Sequence, residues 1–221
     1  MFWRKGPSIS EDLRDWIVDS FDWADETFGA DWSRSRVMIT PTKDFFTAGS
    51  GDTPEVAQTI ANDIARQVPV DHIPVVPLHN LPPEYRHNYQ ETSSIGGTYQ
   101  DTEDGVLIRY DPAQMRQPLT FINTMTHELM HHRLGPHIDD MPGGEGAHEL
   151  STDLHCITHG FGIFALEGPS DAGWSGYMTR ESRAFAFAYF LQKHQVAVET
   201  AMNHLQGRNQ KALKRALAEL A

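Results

Sequence analysis

Apolar positions recur at helical spacing in several long stretches and gather into short runs between them. Leu13, Trp16, Ile17, Phe21, Ala24 and Phe28 share one face of a helix that Ser10 can cap and Gly29 can end. The opposite face carries Glu11, Asp12, Asp15, Asp19 and Asp22, a solvated acidic strip. Residues 36–40 (RVMIT) are short and apolar enough for a strand, and a turn-rich segment follows. Asp52 or Thr53 then caps a helix that opens on Pro54 and runs through EVAQTIANDIARQV. Residues 73–78 (IPVVPL) predict an edge strand, because proline has no N–H to give to a ladder. LPPEYRHNYQETSSIGG is a polar, aromatic loop of the kind that lines clefts. GTYQ and VLIRY form a hairpin with residues 103–105 in the turn.

The second half is helical. From Pro118 the positions of Phe121, Ile122, Met125, Leu129, Met130 and Leu134 follow a helix that Gly135-Pro136 ends. After a glycine-rich connection, a second helix runs from Ala147 through HELSTDLHCITHGFGIF, with Leu150, Leu154, Ile157 and Phe161 on its apolar stripe. Thr179 caps a further helix through RESRAFAFAYFLQKHQVAVETAMNHL, in which Phe185, Phe187 and Tyr189 are core positions, and an amphipathic piece follows Gly207. The expectation is a single α+β domain over residues 1–221, with a small amino-terminal sheet with helices and a helical carboxy-terminal half.

Composition narrows the function classes. Hydrophobic residues make up 39% and charged residues 22% of 221, enough for a sizeable core and not the balance of a disordered chain. The net charge of -12 repels a nucleic-acid backbone, so no nucleic-acid partner is expected. A lone Cys156 cannot form an internal disulfide and the first residues lack a signal-peptide core, so a cytoplasmic chain is expected. No apolar run is long enough to span a membrane.

Four histidines, His127, His131, His132 and His137, fall in TMTHELMHHRLGPH. His127-Glu128-Leu129-Met130-His131 is HExxH, and on a helix its two histidines project from one face, one turn apart, so that both can bind one Zn²⁺. Glu128 lies where it can act as general base toward a water on the metal. The flanking residues are uncharged, except that Arg133 stands where zinc-peptidase helices usually place an apolar residue.

A third protein ligand is needed, and two residues qualify. Glu149 lies eighteen positions past His131, with Asp153 one helical turn further on, and a carboxylate pair on an otherwise apolar helix needs partners. His137 follows His127 by ten residues. The remaining histidines, His132, His148, His155 and His159, lie on other helix faces or deeper in the second helix and are expected to be surface or hydrogen-bonded groups. Cys156 shares a face with Glu149 but is expected to be a buried, inert thiol. Nothing in the sequence selects Tyr99 or Tyr177 as a transition-state donor.

The Glu149–Asp153 pair resembles the gluzincin arrangement, which implies zinc ligation by His127, His131 and Glu149 and an Asp153 that holds one zinc histidine by its other nitrogen. HELMHHRLGPH also resembles the metzincin motif, with its glycine displaced, and the run found in WLM-type DNA-repair proteases; both imply His137 as third ligand. The order DFF, GGTYQ, VLIRY, THELMHH, ELSTDL with GFGIF, and GYMTRESRAFAFAYFL is similar to that of a family of bacterial HExxH proteins over most of residues 41–192. That resemblance implies a zincin-like fold and a zinc metallopeptidase site, and no particular substrate beyond protein or peptide. A zincin-shaped binding or regulatory module, with the metal's fourth position closed by His137 or Cys156, is the alternative.

Overall fold

The computed structural model describes residues 6–78, 97–102, 105–171 and 176–221. The architecture is α+β and mostly helical: α1 (Glu11–Phe28), α2 (Ala30–Arg34), α3 (Pro54–Gln67), β1 (Val75–Pro77), β2 (Gly97–Thr102), β3 (Gly105–Tyr110), α4 (Pro118–Leu134), α5 (His148–Thr158), α6 (Gly162–Asp171), α7 (Arg180–Lys193), α8 (Val198–Met202) and α9 (Gly207–Leu220). The expected caps form: Ser10 accepts the N–H of Leu13, Thr53 that of Val56, and Thr179 that of Ser182.

The sheet has the order β1-β3-β2, with β1 parallel to β3 (Val75 opposite Ile108) and β2 antiparallel to it (Gly97 opposite Tyr110, Thr102 opposite Gly105). Among the described strands β1 lies at an edge, the place its prolines predict. The hairpin also forms, although residues 103 and 104 of its turn, like the expected cleft loop before Gly97, lie outside the described residues. Ile108 and Tyr110 point into the core, where Tyr110 meets Phe121 edge to face at 5.3 Å.

α4 is the centre of the molecule. Every residue from Thr120 to Met130 is buried, because α3, α5, α6 and β2 all pack against it. A helix covered on all sides has no polar face to show. Gly168 of α6 sits where an added Cβ would come within 2.8 Å of the Asn123 side chain, so those two helices touch closely. No helix among the described residues is long and apolar enough to cross a membrane.

Three expectations are corrected. Residues 36–40 are not a strand; Met38, Ile39 and Thr40 are buried, and Ile39 donates its N–H to the Gly160 carbonyl (3.0 Å) rather than to a ladder. An apolar extended run becomes a strand only if another strand lies beside it. The expected single helix from Ala147 breaks into α5 and α6 at Gly160, whose φ of +99° and Phe161 N–H to Cys156 carbonyl bond (3.0 Å) form a left-handed helix cap. An added Cβ at Gly160 would stand 2.2 Å from the Val37 carbonyl oxygen, so the break also admits the extended segment. The helix from Thr179 likewise stops at Lys193: Gln195 takes φ +54° and Val196 donates to the Leu191 carbonyl (2.9 Å). No glycine marks that turn.

Candidate metal centre

Burial of α4 presents His127 and His131, one turn apart, to the first turns of α5. The two rings lie edge to face with centroids 4.6 Å apart and Nε2 atoms 3.0 Å apart. Glu149 Oε2 stands 3.3 Å from His127 Nε2 and 3.5 Å from His131 Nε2. Among the described residues, these three are the group of His, Cys, Asp or Glu side chains whose ligand atoms converge closely enough for one ion. A tetrahedral ion at ~2.0–2.1 Å from its ligands separates them by roughly 3.3–3.4 Å. The three observed separations fit that triangle, so the residues suit a divalent metal.

The other ring nitrogens support the same reading. His127 Nδ1 lies 3.0 Å from Asp153 Oδ1, and His131 Nδ1 lies 3.3 Å from His148 Nε2 and 3.5 Å from Thr152 Oγ1. A neutral imidazole that donates from Nδ1 turns a bare lone pair outward at Nε2. Three lone-pair atoms thus face one another at little more than 3 Å, an arrangement that repels unless a positive charge sits among them.

Electrostatics agree. Burial works against a charged His127, but hydrogen bonds to Asp153 and Glu149 and the charges of Asp153 and Glu128 outweigh it and raise its pKa to about 9. Burial alone would raise the Glu149 and Asp153 carboxyls; the paired histidines hold Glu149 well below the usual range, and Arg183, His127 and the Met178 N–H do so for Asp153. The cluster attracts cationic charge, whether a proton or a metal ion.

Asp153 is fully engaged. Its Oδ2 accepts from Arg183 (2.6 Å) and from the N–H groups of Tyr177 (2.8 Å) and Met178 (3.1 Å). Arg183, itself buried, also donates to the Ala165 carbonyl (2.8 Å), so the carboxylate that orients His127 is anchored to α6 and α7.

Glu128 is buried beside the histidines, and burial raises its pKa against the opposing pull of His127 and His131. Its Oε2 accepts the N–H of Tyr99 (2.7 Å). That bond requires β2 to lie directly on α4, which Gly97 permits: a Cβ there would fall 2.8 Å from Thr124 Cγ2 and 2.9 Å from Glu128 Cγ.

The other candidates lie elsewhere. His137 packs edge-on against Trp23 (6.0 Å) and Phe28 (5.8 Å) and is not in the ligand cluster. Arg133 rests its guanidinium over Phe28 at 4.2 Å, which accommodates a charge where an apolar residue was expected. His132 meets the Tyr99 hydroxyl (3.1 Å). Tyr177 lies parallel to His127, with ring centroids 6.3 Å apart, and its own side chain is exposed. Cys156 is buried, points its thiol at the Thr152 carbonyl (3.3 Å) and is not in the converging group; burial raises its pKa. His155 and His159 are wholly buried against Trp23, Phe28 and Trp32. His148 differs from expectation: it faces the centre and touches a ligand ring. The signal was present in HELSTD, where positions 148 and 152 repeat the one-turn spacing of 149 and 153.

Comparison with protein-family models, with curated proteins and with solved structures finds no match. The functional reading therefore stands on the geometry alone.

Proposed function

We propose that this chain is a zincin-like, gluzincin-type metallopeptidase that holds Zn²⁺ through His127, His131 and Glu149 and hydrolyses peptide bonds in a protein or peptide substrate. The observation that carries the reading is the convergence of those three ligand atoms beside a buried carboxylate, Glu128, that is not needed as a ligand. A purely structural site has no use for such a base.

His127, His131 and Glu149 would hold the zinc, which when bound would supply Lewis-acid activation of a water and of the scissile carbonyl. Glu128, its second oxygen fixed by the Tyr99 N–H, accepts the proton of the attacking water and passes it to the leaving amine. Asp153 keeps the His127 ring in the tautomer that turns Nε2 to the metal.

The test uses the zinc-loaded full chain and a library of quenched fluorescent peptides. Wild type should cleave members of the library, and Glu128→Gln should bind zinc equally but lose at least ~10²-fold in rate. Cleavage by Glu128→Gln at the wild-type rate overturns the general-base role. A wild type that takes up zinc stoichiometrically and cleaves nothing favours a binding module.

A further inference from the structure

α5 meets the paired imidazoles with four side chains from its first two turns. Glu149 supplies a ligand atom and Asp153 holds His127. The residues immediately before each of these, His148 and Thr152, stand beside His131 instead. The His148 and His131 rings are edge to face, with centroids 4.8 Å apart, and His148 Nε2 lies 3.3 Å from His131 Nδ1. Thr152 Oγ1 is slightly further from the same nitrogen, at 3.5 Å, and its one proton goes to the His148 carbonyl at 2.9 Å.

A histidine that gives Nε2 to a metal keeps its proton on Nδ1, and that N–H needs an acceptor to fix the plane of the ring. For His127 the acceptor is a carboxylate. For His131 the nearer acceptor is a neutral imidazole, with the threonine hydroxyl behind it. This inference rests on the metal-centre reading above and adds a residue to it. We propose that His148 is a positioning residue of the metal centre: its Nε2 accepts the Nδ1–H of His131 and holds that ring, as Asp153 does for His127. The two metal histidines are thereby held by partners of different charge from one short helix.

The role predicts a dependence on an acceptor atom and not on bulk. Zn²⁺ affinity of the full chain is measured by chelator competition, and the Co²⁺-substituted protein supplies a visible spectrum that reports ligand geometry. His148→Leu should weaken Zn²⁺ binding by roughly 10–100-fold and alter the Co²⁺ bands. His148→Gln, whose side-chain oxygen can reach the position of Nε2, should stay within about threefold of wild type with an unchanged spectrum. His148→Ala is measured alongside in case His148→Leu fails to fold. Equal losses in the leucine and glutamine variants overturn the proposal, as does a loss in Thr152→Val with none in His148→Leu. Wild-type affinity in His148→Leu removes only the role of His148, whereas a wild type that binds neither metal removes the metal centre itself.

Discussion

Asp153→Asn is the most informative single perturbation, because Asp153 joins the metal helix to the rest of the fold. Its side chain is 3% exposed and that of Arg183 2%, with 2.6 Å between Oδ2 and the guanidinium nitrogen. Asparagine keeps the shape and loses the charge, which takes from the buried Arg183 guanidinium the carboxylate at 2.6 Å. Breaking a buried pair from one side costs about 3–5 kcal/mol. A stability of ~5–15 kcal/mol can lose that much only with a large visible effect. For a chain of this length each kcal/mol moves Tm by roughly 2–4 °C, so the metal-free variant should melt about 6–20 °C lower. Unfolding is followed by circular dichroism in urea and on heating, with a chelator present so that altered metal affinity does not enter. Arg183→Met should also destabilise, but the double variant Asp153→Asn/Arg183→Met should be more stable than the two single losses summed, since the contact the two side chains share is lost only once. A loss below about 1 kcal/mol in Asp153→Asn, or strict additivity in the cycle, would refute the view of this pair as buried and mutually dependent.

Acid sensitivity follows from His155 and His159. Burial lowers the His155 pKa to about 3, and burial, together with the nearby Arg36 and Arg133 cations and the competition of His155 for a proton, lowers that of His159 well below its usual value. Both rings are neutral in the folded chain while the unfolded chain protonates them below ~6.5, so their contribution is full above that pH and is lost as pH falls towards the folded values. Stability between pH 6 and 5 should fall by up to about 1.4 kcal/mol per pH unit for each histidine, and His155→Gln should make the decline shallower; an unchanged slope in urea titrations would contradict the assignment. Gly160→Ala forces a Cβ into a position with φ +99° and 2.2 Å from the Val37 carbonyl oxygen, and should cost about 2 kcal/mol or more in chemical unfolding. A neutral result there would mean that the α5–α6 corner can open without loss.

The starts and caps of the long helices, the hairpin, and the three residues whose ligand atoms converge were legible in the sequence, because each depends on local rules; the short helix at Ala30–Arg34 and the breaks after Thr158 and Lys193 were not. Helical spacing places His127 above His131 and Glu149 one turn before Asp153, whatever surrounds them. What sequence could not decide is which separate pieces meet. The sequence allowed either His137 or Glu149 beside the histidine pair, and only packing decides which one stands there: α1 seats His137 on Trp23 and Phe28 while α5 carries Glu149 to the pair. The same limit explains the lost strand at residues 36–40, whose buried backbone finds Gly160 and not a strand, and the role of His148, whose neighbour His131 lies seventeen positions away. Periodicity fixes the direction in which a side chain leaves its own helix; the distance to an atom on another helix is set by the burial of both, and that belongs to the tertiary structure.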